Sequence, residues 1–208
     1  GDSLDPFPLG KNVSLFVTAA ERYTKAFPKG ENVPPMKYKV AALYYYHNQF
    51  DQALAHFNEI IKNYPKSQYA QFSANLTLDI YNLKKDYGGL EKAGQELLAN
   101  EDIANSSAGT AVKDVIRRTQ FKKAQDLEAN KDYMGAAQAY EDFAKKNPGG
   151  DLGFSASFNA AINYERGGDL FRAIGMYAAV LGDRDPKNDN LRQKASQFIA
   201  ALYEKTGQ

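Results

Sequence analysis

Tyr133-Met-Gly-Ala136-Ala-Gln-Ala-Tyr140-Glu-Asp-Phe143-Ala-Lys-Lys-Asn-Pro148 is the stretch whose reading decides the fold. Its key residues fall at offsets 0, 3, 7 and 10, the spacing of one helix face, and a proline closes it at 15. Every offset recurs in Phe50, Ala53, Phe57, Ile60 and Pro65. Leu170, Ala173, Tyr177 and Val180 repeat it, with the proline one residue late at Pro186. A degenerate copy runs through Leu78, Tyr81, Tyr87, Leu90 and Leu97. Upstream of the three full copies sits another helical stretch with a small residue and then an aromatic or Leu: Ala41 and Tyr44, Ala124 and Leu127, Ala161 and Tyr164. The chain reads as helix pairs, repeated.

The offsets have a packing logic. Two antiparallel helices approach closely only where one contributes a small side chain, so Ala53, Ala136 and Ala173 admit the neighbouring helix. The aromatic four residues on lies one turn later on the same face and fills the adjacent gap. Asp86, Asp132 and Asp169 stand just before second helices, where a carboxylate accepts from orphan N–H groups and meets the positive end of the dipole. Ser67 is placed to cap in the same way. Pro and Gly fall mainly between the helical stretches, and strand signals are nearly absent, so the fold class is all-α.

This pattern resembles the tetratricopeptide repeat, a unit of about 34 residues with Gly, Tyr, Ala, Phe and Pro at these places. The resemblance implies an all-α, right-handed superhelical stack of antiparallel helix pairs. It covers residues 13–208, after a start at 1–10 expected to be disordered or foreign to the fold. Residues 11–208 are read as one solenoid: a partial unit at 11–28, repeats at about 34–66, 67–102, 109–149 and 151–186, and a partial unit at 189–208. Phe16, Ala19, Tyr23 and Ala26 mark the first partial unit; Ala200, Tyr203 and Gly207 mark the last. Asn100 to Thr110 reads as an inserted loop, followed by a long first helix from about Ala111 to Ala129.

Phe50 to Tyr87 spans 37 residues, as does Tyr133 to Leu170, while Tyr87 to Tyr133 spans 46. With the Tyr64-Pro-Lys-Ser67-Gln-Tyr69-Ala70 linker, the 37-residue form is similar to envelope proteins of Gram-negative bacteria, such as the outer-membrane assembly lipoprotein and cell-division coordinator families. The resemblance therefore implies a periplasmic or outer-membrane-associated place, with the cytoplasm as the alternative.

Composition narrows the chemistry. The 208 residues carry a formal net charge of +1, which argues against a dedicated nucleic-acid or anionic-membrane surface. Zero cysteines exclude disulfides, thiolate metal sites and Cys nucleophiles. His47 and His56 have no companion carboxylates at metal-ligand spacing. Asp183 to Asn190 lacks the turn glycine of a calcium loop, and Lys194 stands where its bidentate Glu belongs. The basic stretch Lys113, Arg117, Arg118, Lys122 and Lys123 is diluted by Asp114, Asp126 and Glu128, and reads as a solvated face or a contact for an acidic peptide. Neither cofactor nor metal is expected, and the chain is read as a scaffold, not an enzyme. The alternative is an accessory helical domain of a larger enzyme.

In the family that the chain resembles, first helices line a concave groove that holds a peptide or protein partner. Carrying its places across gives Tyr38, Ala42, Tyr45 and Tyr46, then Phe72, Asn75, Asp79 and Asn82. Phe121, Lys122 and Gln125 follow, then Phe158, Asn159 and Ile162. Rings bury large area while amides bond a peptide backbone, although a one-residue slip in phase would put rings in the core. Tyr38 and Ala42 stand where relatives that grip acidic chaperone tails place a Lys and Asn clamp, so that ligand is rejected. Phe198, Ile199, Ala201 and Leu202 leave an apolar strip at the end, read as the cut face of a longer array that self-associates weakly.

Overall fold

The computed structural model describes residues 3–182 and 185–207. Among them every regular element is helical. In order these are α1 (Lys11–Ala26), α2 (Val33–Tyr46), α3 (Phe50–Asn63), α4 (Gln68–Leu83), α5 (Tyr87–Leu98) and α6 (Glu101–Ala104). Then come α7 (Ser107–Ala129), α8 (Tyr133–Lys146), α9 (Gly150–Gly167), α10 (Leu170–Leu181) and α11 (Asp189–Thr206), the last preceded by a 3-10 turn at Pro186–Asn188. Helices adjacent in sequence pack on one another as hairpins, in two compact units, 1–116 and 117–208. The all-α reading holds, and so does the repeat of helix pairs. Asp183 and Arg184, at the head of the rejected calcium loop, lie outside the described residues. No helix of the described residues is long and apolar enough to cross a membrane.

The small-residue positions do what packing requires of them. Ala41, Ala53, Ala124, Ala136, Ala161 and Ala173 are all fully buried. Phe57, Tyr140 and Tyr177 fill the gap one turn after the second-helix alanines, followed by Ile60, Phe143 and Val180, all buried. Each such ring contributes on the order of 1.5–3 kcal/mol by burial alone.

The caps also form as expected. Asp86, Asp132 and Asp169 accept from the main-chain N–H groups of Gly89 (2.8 Å), Gly135 (2.9 Å) and Arg172 (3.1 Å), and Ser67 accepts from Ala70 (3.2 Å). Two residues before each of these second helices the chain turns through positive φ, at Lys85 (53°), Lys131 (64°) and Gly168 (88°). Asn48 (55°) holds the same place before α3.

A hydrogen bond not expected from the sequence repeats across the second unit. Tyr140 donates its hydroxyl to Glu128, and Tyr177 donates to Glu165, both at 3.3 Å and both twelve residues back. Burial, then the glutamate beside it, holds each phenol well above its ordinary range. In the first pair the ring is Phe57, which needs no acceptor, and twelve residues back stands Tyr45 instead of Glu.

Three stretches depart from expectation. The Asn100 to Thr110 segment is not a plain loop: it holds α6, and α7 begins at Ser107, four residues before Ala111. Asn100 accepts from the N–H groups of Asp102 and Ile103, and the Ser106 hydroxyl accepts from Ala108. Asn and Ser are N-cap residues, and here they start helices.

On α1 the buried residues are Val17, Ala20 and Thr24, one place on from the expected set, with Ala19 exposed. Lys39 lies 4.9 Å over the Phe16 ring, which leaves that ring at the edge of the small cluster around Val17, Ala20 and Val40. On α11, Ala195 and Leu202 are buried while Ala200 and Tyr203 are exposed. Ala195 and Phe198 therefore form the small-then-aromatic pair there, with Phe198 against Phe158 and Tyr177. Leu202, expected in an uncovered strip, is covered.

Candidate functional site

Helices α2 and α4 of the first unit pack against each other, and side chains from both form the candidate strip. At one end Tyr38, Tyr69 and Phe72 form an aromatic cluster, with ring centroids 5.6 to 6.0 Å apart. Phe72 leaves 43% of its surface open. Asn75, exposed, follows one turn along α4, and Asp79 and Asn82 continue the face. At the other end the Tyr45 hydroxyl donates to the Asp79 carboxylate. Burial and this acceptor raise the Tyr45 phenol far above its ordinary range, so it remains a donor at any physiological pH. Tyr46 packs edge-on to Tyr45, with centroids 5.2 Å apart, and is 67% exposed.

The structure sorts the expected groove rings into two kinds. Tyr38, Phe121 and Phe158 each precede the ring of their own second helix by 19 residues. Each rests on it: Tyr38 on Phe57 (6.2 Å), Phe121 on Tyr140 (5.3 Å) and Phe158 on Tyr177 (5.7 Å). Phe158 is only 7% exposed, and Phe121 also meets Phe143 edge-on at 5.3 Å. These rings close the hairpin core from one side, and Tyr38, half-buried, also reaches the Tyr69 and Phe72 end of the strip. Their place on the first helix faces its own partner helix, so Phe158 is core and not groove, and Phe121 is mainly so.

Tyr45, Tyr46 and Phe72 are the rings left to a surface role, with Asn75, Asp79 and Asn82 between them. Tyr69, which the sequence reading passed over, completes the aromatic end; its place just after the Ser67 cap was the available signal. In the second unit Gln125 is exposed and Asn159 half-buried, while Lys122 pairs with Asp126 at 2.9 Å. The basic stretch is in that measure a salted helix face. Among the described residues no three His, Cys, Asp or Glu side chains stand together as a metal site.

His56 stacks on Tyr44, with centroids 5.3 Å apart and planes at 10°, in a cleft bounded by Glu21, Thr24 and Lys37. Burial lowers its pKa below 6.5; Glu21 and Glu59 oppose the shift, and Lys37 adds to it. The unfolded chain therefore binds this proton first as pH falls. The resulting stability is intact above about pH 6.5 and is lost on acidification through the lower folded value. Denaturant titrations between pH 7 and 5 should show it, and His56→Gln should flatten that slope. A slope unchanged by the substitution contradicts the assignment.

Residues 37–67, running from α2 through α3 to the Ser67 cap, match the tetratricopeptide repeat family. The match supports the repeat reading and, with it, protein–protein interaction as the general role. A search of the curated proteins finds no match.

Proposed function

We propose that the first unit is a non-catalytic peptide-binding module whose site is the α2/α4 face. The observation that carries this reading is Tyr46, a large ring held edge-on by Tyr45 yet two-thirds exposed at 67%. It stands on a strip that also offers Phe72, Asn75 and Asn82. Exposed rings gathered on one face suit a partner, because each buries large apolar area at low entropic cost. Asn75 and Asn82 supply both donors and acceptors, which an extended peptide main chain requires. The Tyr45–Asp79 bond fixes one acidic acceptor between them.

We further propose that the module serves a protein complex of the bacterial envelope. The 37-residue period and the Tyr64-to-Ala70 linker support that place. Cell fractionation with an antibody to the chain tests it; a purely cytoplasmic signal would overturn it.

The peptide site is tested by separating affinity from stability. A peptide selected by display against the purified chain should lose about tenfold or more in affinity on Tyr46→Ala, while the melting temperature stays near that of the parent. Phe121→Ala should do the reverse and destabilise by roughly 3–5 kcal/mol, as truncation of a packed ring does. Affinity unmoved by Tyr46→Ala and by Phe72→Ala overturns the site.

A further inference from the structure

The turn between α2 and α3 departs from its counterparts at the one position that they share, the aspartate cap. The other second helices are preceded by Lys84-Lys85-Asp86, Asn130-Lys131-Asp132 and Gly167-Gly168-Asp169. Here the residues are His47-Asn48-Gln49, and no side chain caps α3. Giving up an aspartate cap is unfavourable unless the replacement does something else.

All three residues of this turn touch the same object, segment 3–9, which has no regular secondary structure. The Phe7 N–H donates to the His47 carbonyl at 3.1 Å, and the Phe7 ring lies 4.7 Å from the His47 ring. Asn48 donates its amide to the carbonyls of Ser3 and Asp5, both at 3.2 Å. Gln49, freed from capping, donates to the Phe7 carbonyl at 2.7 Å. The His47 ring is itself fixed by a 2.7 Å contact from Nδ1 to the Leu43 carbonyl.

The segment suits this cradle. Pro6 and Pro8 hold the residues before them, Asp5 and Phe7, in extended conformation. The prolines have no N–H to satisfy, so between Asp5 and Leu9 the donor to be matched is Phe7, and the His47 carbonyl matches it. Recognition is by main chain plus one ring, the currency of extended-peptide sites.

The geometry points to a second peptide-binding site at the α2–α3 turn, separate from the α2/α4 face. It recognises an extended segment with an aromatic residue between prolines, and residues 3–9 occupy it in cis. Because the contacts are to main chain and to the one ring of Phe7, the same segment supplied on another molecule makes the same contacts. The inference stands independently of the function proposed for the α2/α4 face.

Hydrogen exchange on the full chain tests the cis contact. The Phe7 amide should exchange at least about tenfold more slowly than an unstructured amide. Asn48→Gly combined with Gln49→Ala should abolish that protection. Glycine keeps the left-handed backbone of position 48, so the helices should melt as in the parent.

The site itself is tested in trans. A synthetic peptide of residues 3–10 should bind a full chain carrying Phe7→Ala, whose own segment is weakened. It should not bind that chain once Asn48→Gly and Gln49→Ala are added. The same peptide with Ala in place of Phe7 should bind neither. An unprotected Phe7 amide in the parent overturns the proposal, as does peptide binding that survives the turn substitutions. Protection without any binding in trans reduces the segment to part of the fold and overturns it too.

Discussion

Ala53→Arg, Ala136→Arg and Ala173→Arg should each abolish cooperative folding of the unit that contains the substitution. All three alanines are fully buried at the close approach of paired helices. Overpacking such a contact costs about 1–3 kcal/mol, and an unpaired charge buried beside it costs more. The sum is comparable to the whole stability of a domain of this size, about 5–15 kcal/mol. Circular dichroism melts report the outcome. Substitution of Ala55, exposed on the same α3 helix, by Arg serves as the control and should melt with the parent. Three alanine variants that melt like the parent would mean that the repeat phase is wrong.

The second large effect runs against the repeat pattern. Where the other second helices carry Phe57, Tyr140 and Tyr177, α5 carries Gly94. The missing ring is replaced from α7: a Cβ added at Gly94 would stand 2.5 Å from Ile116 Cδ1 and 2.8 Å from its Cγ1, with Val112 3.6 Å away. Restoring the pattern by Gly94→Phe should therefore destabilise the first unit by about 1–3 kcal/mol, despite the better helix propensity of Phe. Ile116→Ala should also destabilise, by about 2–5 kcal/mol. In combination the two should cost less than the sum of the singles, because the ring enters the space that the isoleucine vacates. Strict additivity would show that Gly94 and Ile116 do not share that space.

The fold was legible wherever a position is fixed by contact within a helix pair. The alanine and ring offsets of α3, α8 and α10, and the aspartate caps before α5, α8 and α10, are local rules repeated in register. What a neighbouring helix decides was not legible. Periodicity fixes a helix but not its rotation to within one residue, so α1 was read one place off, with Ala19 buried in place of Ala20. Asn100 and Ser106 read as loop residues by type, yet each caps a helix.

The candidate site was legible as a set of helices and less so as residues. Tyr38, Phe121 and Phe158 look like groove rings in sequence, and only the 19-residue contact with Phe57, Tyr140 and Tyr177 assigns them to the hairpin core. One signal was available and unused. Glu128 and Glu165 precede tyrosines by twelve residues, whereas Tyr45 precedes Phe57, which marks Tyr45 as the member released for a different bond. Within segment 3–9, Pro6 and Pro8 favour extended backbone before them but give no sign of its docking place. The signal for that place was the missing aspartate at Gln49.

The central claim, a peptide held along α2 and α4, is tested most directly by mapping amide chemical shifts of the chain as a display-selected peptide is added. The account predicts that the largest changes fall on Tyr45, Tyr46, Phe72, Asn75, Asp79 and Asn82, with the amides of α8 and α10 unmoved. Changes concentrated on α8 and α10, or spread without regard to the α2/α4 face, would contradict it.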